Sequence, residues 1–125
     1  MQFTYNKHEK LKSRKLIKKL FEEGKSISVF PIRLVYLKIE HEGTYPLKTG
    51  VSVSKRNFKL AVHRNRIKRL LREVYRLNKH LVYSNLQEKY IFMFIYLGRK
   101  EIPYLKLNVK MIELMYQFLR QTKEK

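Results

Sequence analysis

The sequence predicts an α+β fold, a two-layer α/β sandwich in the order α-β-β-(β)-α-β-α, and three observations carry that prediction. Apolar residues recur at helical spacing in three separate segments, near residues 14–23, 64–81 and 104–123. Between the first and second of these the pattern changes to alternation, the mark of strands with one face buried. The run Tyr90–Leu97 (YIFMFIYL) is apolar on both sides, as expected of a strand covered on both faces. No repeat, linker or low-complexity tract interrupts the 125 residues, so one domain over 1–125 is expected.

Taken in order, Ser13 is placed to cap a helix over Arg14–Glu23, with Gly24 as its stop. The stripe Leu16, Ile17, Leu20 and Phe21 fits a helix docked along one side. A strand follows from Val29 to Glu40, with Pro31 near its start and room for a further short strand before it. In it Ile32, Leu34 and Tyr36 share one face, and Arg33, Val35, Leu37 and Ile39 share the other. The stretch His41–Pro46 (HEGTYP) reads as a turn, so a strand over Leu47–Ser54 is expected to pair antiparallel with the preceding one. Gly50 inside it implies a close backbone approach or a bulge. A basic helix follows, residues 78–87 carry the chain back, and Gly98-Arg99-Lys100 closes the strand at Tyr90–Leu97. The last helix is expected over Tyr104–Lys123, with Leu107, Met111, Leu114, Met115, Phe118 and Leu119 on its inner face.

Charge points to the partner. The chain holds 29 Lys and Arg against 10 acids, a formal charge of +19, and ten of those cations lie between Lys55 and Lys79 with Glu73 as the one acid. At about 100° per residue, Ile67, Leu70, Leu71, Val74, Leu77 and Leu81 fall within an arc of roughly 120°. Arg64, Asn65, Lys68, Arg69, Arg72, Arg76 and Lys79 project on the other side. A solvated helix face normally mixes signs at i,i+4, and this one does not. A polyanion relieves such repulsion, and Lys55, Arg56 and Lys59 just upstream extend the field. Arg64-Asn65-Arg66 sets two planar guanidinium groups around an amide at the helix start, where free N–H groups add partial positive charge. The nine Tyr and seven Phe, read as aromatics exposed on a long sheet, favour RNA or single strands over a DNA groove.

The inventory for protein-based catalysis is poor. No two carboxylates converge by spacing, and His8, His41, His63 and His80 show no mutual ligand spacing. There is no Cys, no glycine-rich phosphate loop and no zinc pattern, so no protein metal site is expected. A self-sufficient metal-dependent nuclease would need clustered carboxylates. No signal peptide is expected, since MQFTYNKHEKLKSRK lacks an apolar region, and the longest apolar run is too short to span a bilayer. A soluble, cytoplasmic chain without membrane association is expected.

The segment Gly50–Arg76, GVSVSKRNFKLAVHRNRIKRLLREVYR, closely resembles the signature of the bacterial ribonuclease P protein component, a strand end "G-x-S-V-x-K-K/R" leading into "A-x-x-R-N-R-x-K-R-x-x-R-E". KLKSRKLIKKLFEEGKS at Lys10–Ser26 is similar to that family's first helix, and YIFMFIYLGRK to its last strand. The resemblance implies a protein that binds a large catalytic RNA and assists removal of the 5′ leader from precursor tRNA, the RNA and Mg²⁺ performing the hydrolysis. It implies that Mg²⁺ is held mainly by the RNA subunit, and that the protein is monomeric in the holoenzyme. By position, Lys55, Arg56, Arg64, Asn65, Arg66, Lys68, Arg69 and Arg72 would face the catalytic RNA. The implied leader cleft lies between the first helix and the sheet, with Ile17, Phe21, Ser26 and Tyr36 as its candidates; Ile17 stands where many members carry a first Phe. For Phe92 and Phe94, core packing is expected. The resemblance further implies a left-handed crossover from Val51–Ser54 through the basic helix to a parallel strand at Tyr90–Leu97. A ribosomal protein or RNA chaperone with no part in cleavage fits the charge almost as well, and the motif favours the first reading.

Overall fold

A computed structural model describes residues 9–39, 47–86 and 88–123. Eight elements follow in order: α1 (Arg14–Glu23), β1 (Lys25–Val29), β2 (Ile32–Lys38), β3 (Leu47–Val53), α2 (Ala61–Asn78), α3 (His80–Tyr83), β4 (Tyr90–Tyr96) and α4 (Tyr104–Lys123). The turn read at residues 41–46 lies outside the described residues.

Local chemistry sets the first elements. The Ser13 hydroxyl accepts from the Leu16 N–H at 3.2 Å, satisfying one free donor of α1. Gly24 ends α1 through space rather than conformation. Its φ of −73° is open to any residue, but a Cβ there would lie 2.4 Å from the Leu20 carbonyl oxygen. The strand expected from Val29 starts at Ile32 instead, and the short strand for which there was room before it is β1, joined to β2 in a hairpin. Phe30 and Pro31, joined by a cis peptide bond, form its two-residue turn, and Val29 faces Ile32. Pro31 has no N–H to donate, so the strand begins after it.

The sheet order is β1-β2-β4-β3. The apolar strand β4 takes the centre, antiparallel to β2 and parallel to β3, with Leu34 and Val51 both opposite Phe94. The antiparallel pairing expected between Leu47–Ser54 and the preceding strand is therefore overturned. β4 buries both faces and so claims both neighbours, which leaves β2 and β3 apart. Gly50 is not bulged: it stands opposite Met93, whose Cε would lie 3.1 Å from an added Cβ, and the backbone that comes close is the N-terminal segment bridged to the neighbouring Thr49. Beyond β3, the Leu11 N–H donates to the Thr49 carbonyl at 2.7 Å, so the N-terminal segment covers that edge.

The two faces of the sheet carry separate cores. Ile32, Leu34 and Tyr36 of β2 and Tyr90, Phe92, Phe94 and Tyr96 of β4 pack under α2 and α4. Phe118 of α4 meets Phe92, Tyr36 and Tyr90 edge-on, with centroids 4.8, 5.0 and 5.3 Å apart. Such contacts add to a burial worth roughly 1.5–3 kcal/mol per large apolar side chain. On the other face Val35, Ile91 and Met93 pack with Leu11 and Leu20, so α1 lies opposite the α2/α4 layer. Buried Asn78 ties α2 to α4, its Nδ2 donating to the Val74 carbonyl at 2.7 Å and to Asn108 Oδ1 at 2.6 Å.

Candidate nucleic-acid interface

The inner stripe of α2 fixes its outer face. Ile67, Leu71, Val74 and Tyr75 are buried, which sends Asn65, Arg66, Arg69 and Arg72 to solvent and leaves Lys68 half-buried. Lys55 and Arg56 stand exposed in the turn after β3, where the Arg56 N–H donates to Ser54 Oγ at 3.0 Å. No acid occupies the first turn of α2 and no side chain caps it, so its partial positive charge is unopposed there.

The cations of this face are not equivalent. Arg69 and Arg72 form no ion pair among the described residues. Arg64 is half-buried, and its Nη1 donates to the carbonyls of Phe58 (2.8 Å) and Lys59 (2.9 Å), so it also pins the loop that feeds α2. Arg66 Nε lies 3.0 Å from Glu101 Oε1. Arg76 is engaged within its own helix, with Nη2 and Nε at 2.6 and 3.1 Å from the two oxygens of Glu73. Its hydrogen bonds hold the Glu73 carboxyl below the usual carboxylate range.

Lys79 departs from the sequence reading altogether. The helical projection sends it outward, yet it is buried, and its Nζ lies 2.6 Å from Glu9 Oε2. The Tyr83 hydroxyl donates to the same oxygen. α2 ends at Asn78, and a carboxylate from the far N-terminal segment closes over the side chain; a wheel projection contains neither fact.

A second correction concerns the aromatics. The sheet does not expose them: Tyr36, Tyr90 and Tyr96 are buried under α2 and α4, beside Phe92 and Phe94, which pack in the core as expected. Burial pushes the hydroxyls of Tyr36, Tyr90 and Tyr96 above the ordinary tyrosine range. Of the four cleft candidates the structure brings three to one side. Ile17 packs on the α1 core, Phe21 one turn later is 52% exposed, and exposed Ser26 stands opposite Val35 of that same sheet face. Tyr36 faces the other way, 6% exposed, with its hydroxyl donating to Gln121 Oε1 at 2.8 Å. Strand alternation had already put it with Ile32 and Leu34. Beside Ser26 the open sheet face carries Arg33, whose Nη2 donates to Ser26 Oγ at 3.2 Å.

The sequence reading missed the segment after β4. Because β3 and β4 run parallel, their C-terminal loops leave the sheet at one end. There Asn57 Nδ2 donates to the carbonyls of Leu97 and Gly98 at 3.3 and 3.4 Å. The Tyr96 hydroxyl donates to the Lys100 carbonyl at 2.5 Å. Arg99 and Lys100 thus join the basic loop before α2. The signal was present as a GRK run after a strand, but it needed the parallel pairing to give it a place.

Comparison with known proteins agrees with this geometry. A family model described as Ribonuclease P matches residues 5–118. A ribonuclease P protein component from Porphyromonas gingivalis is 50% identical over 91 residues, covering 72% of this chain and 66% of the relative, so the match spans just under two thirds of that protein. One from Chlorobium phaeobacteroides is 33% identical over 112 residues, 87% of this chain and 70% of the relative. Among solved structures, the ribonuclease P protein of Thermotoga maritima superimposes with a TM-score of 0.70 at 22% identity, over 87% of this chain and 96% of that one, a likeness of fold.

Proposed function

The chain belongs to the ribonuclease P protein family, and on that premise we propose that it is the protein subunit of ribonuclease P, a single RNA-binding domain of the cytoplasm that binds the catalytic RNA and the 5′ leader of precursor tRNA. It assists the endonucleolytic removal of that leader, one copy of the protein to each holoenzyme. The observation that carries this reading is the outward row of α2. Arg69 and Arg72, with half-buried Lys68 beside them, lie on the outer side of a helix whose other side is locked to the sheet, so their backbone positions are set before RNA arrives. With the helix already fixed, only the side chains are ordered when they neutralise phosphates.

The leader is proposed to lie along α1, against Phe21, Ile17 and Ser26 on the open sheet face. An exposed ring suits base stacking, and the serine with Arg33 suits backbone oxygens. Tyr36 supports this surface from beneath the sheet.

Hydrolysis belongs to the RNA with Mg²⁺. Magnesium takes an octahedron of oxygens and is held through carboxylates or phosphates. Among the described residues no three carboxylates or imidazoles gather, and an ion of this kind is proposed to rest mainly on RNA phosphates. No step is assigned to a protein-bound metal. Also among the described residues, no helix is long and apolar enough to cross a membrane.

Reconstitution tests the proposal. The highly purified protein alone is expected to cleave nothing, and its addition to the cognate ribonuclease P RNA at low Mg²⁺ to restore leader removal. Cleavage by protein freed of RNA would overturn this assignment of roles. RNA binding with no gain in cleavage would make the chain a structural RNA binder instead.

A further inference from the structure

At the end of the sheet where β3 and β4 both terminate, the loops at 57–60 and 99–101 flank, with the first turns of α2, an open pocket of about 500 Å³. Lys59, His63, Arg66, Arg99 and Lys100 line it, Phe58 and Leu60 give it an apolar wall, and Glu101 is its one carboxylate. A pocket of this volume has room for a nucleotide rather than a bare ion. Its walls are built. Phe58 packs on Tyr96 with centroids 5.9 Å apart, and the hydrogen bonds of Arg64, Asn57 and Tyr96 fix both loops. Gly98 sits tightly among Tyr96, Lys100 and Pro31, with a Cβ there 3.0 Å from the Tyr96 ring.

We propose that this pocket binds one nucleotide of RNA through its phosphate, and that Glu101 is the resting counterion which the phosphate displaces from Arg66. The proposal rests on the ribonuclease P reading and adds to it a site formed by the loop after β4. Arg66 and Glu101 are respectively 54% and 36% exposed, so water reaches the ion pair and its exchange is easy. A phosphate offers the guanidinium the same paired oxygens as a carboxylate, together with more charge for Lys59, Arg99 and Lys100 to meet. Glu101 therefore acts on specificity. An anion too weakly held by the other cations leaves Arg66 on Glu101, whereas a phosphate seated against Leu60 and the lysines takes it over.

The test uses the full chain, with Glu101→Gln and the double change Arg99→Ala, Lys100→Ala. Uridine 5′-monophosphate, followed on the side-chain NMR signals of Arg66 and His63, is expected to give a saturable shift. That shift should tighten about two- to five-fold in Glu101→Gln, the equivalent of one exposed ion pair, and vanish in the double variant. With ribonuclease P RNA, the double variant should flatten the log–log salt dependence by roughly one to two units. Protection of Lys59 and Lys100 from acetylation by the RNA assigns the phosphate to that RNA; a nucleotide shift without such protection assigns it to a free nucleotide.

No shift with the nucleotide and no change in salt slope would overturn the site. Weaker binding in Glu101→Gln would overturn the counterion role, because Glu101 would then be positioning Arg66. Leader removal by wild-type protein is measured alongside. If it succeeds while the pocket is silent, only this inference fails; if it fails while the pocket binds, the functional reading fails and the site stands.

Discussion

Glu9 and Lys79 lie 70 residues apart in the chain and meet at 2.6 Å, with 1% and 4% of their side chains exposed. The pair fastens the segment ahead of α1 to the junction of α2 and α3. Removing one partner leaves a buried charge without its counterion, and Lys79→Met should lower stability by about 3–5 kcal/mol. Glu9→Leu combined with Lys79→Met should recover much of that loss. Chemical denaturation of the three variants measures it, and a double variant no more stable than the single one would refute the account.

The proposed RNA row on α2 separates into cations with no further partner among the described residues, Arg69 and Arg72 with half-buried Lys68, and Arg64, which also holds the loop ahead of the helix. Lys68→Ala, Arg69→Ala and Arg72→Ala together should flatten the log–log salt dependence of RNA binding by roughly two to three units, at about 0.7–0.9 per phosphate contact. The melting temperature should hold. Arg64→Ala should lower RNA affinity and melting temperature together, because its guanidinium also holds the Phe58 and Lys59 carbonyls. Filter binding across a salt series, beside a thermal melt, checks both statements.

Phe21 and Tyr36 should behave in opposite ways. Phe21→Ala removes an exposed ring, so it should cost less than about 1 kcal/mol of stability. It should also lose the preference for precursor over mature tRNA, a stacked base being worth about 1–3 kcal/mol. Tyr36→Phe should cost about 1 kcal/mol of stability through the lost hydrogen bond to Gln121 and leave that preference intact. Affinities for the two tRNAs, measured with melting temperatures, decide the matter. Unchanged discrimination in Phe21→Ala would take the ring out of the leader surface.

Alkali gives a further check. Tyr36, Tyr90 and Tyr96 have hydroxyls raised above their ordinary value by burial. The folded state thus favours the neutral form, so their contribution is fully present below about pH 10, the unfolded value, and is lost as pH rises through the folded values. Stability should be flat in pH on approaching 10 and fall above it, and the part of the tyrosinate absorbance due to these three should rise together with unfolding. Ionisation of all nine tyrosines well before unfolding would contradict this.

Much of this architecture is written in local pattern. The cap at Ser13, the bounds of α4 and the two faces of β2 follow from residue spacing, since each depends on neighbours within a few positions. Strand partners do not. Leu47–Val53 alternates equally well beside β2 or β4, and only the doubly buried β4 decides between them. The same limit explains Lys79, whose burial depends on Glu9, and the aromatics, whose exposure depends on where α4 lies. Of the proposed RNA face, the α2 row is visible in one helical projection. Arg99 and Lys100 come to that end of the molecule only through the parallel register of β3 and β4.

The placement of β4 between β2 and β3 has a consequence for the order of events during synthesis. When the ribosome has made residues 1–89, the β1–β2 hairpin can form, but β3 has no strand beside it and the interleaved aromatic core lacks its central row. The sheet is joined only when Tyr90–Tyr96 inserts between two strands already made, and Phe118 must follow to close over it. Pairing of this kind is long-range in sequence and slow relative to helix formation. The highly basic α2 is therefore made, and free to meet cellular RNA, before the scaffold that orients it exists.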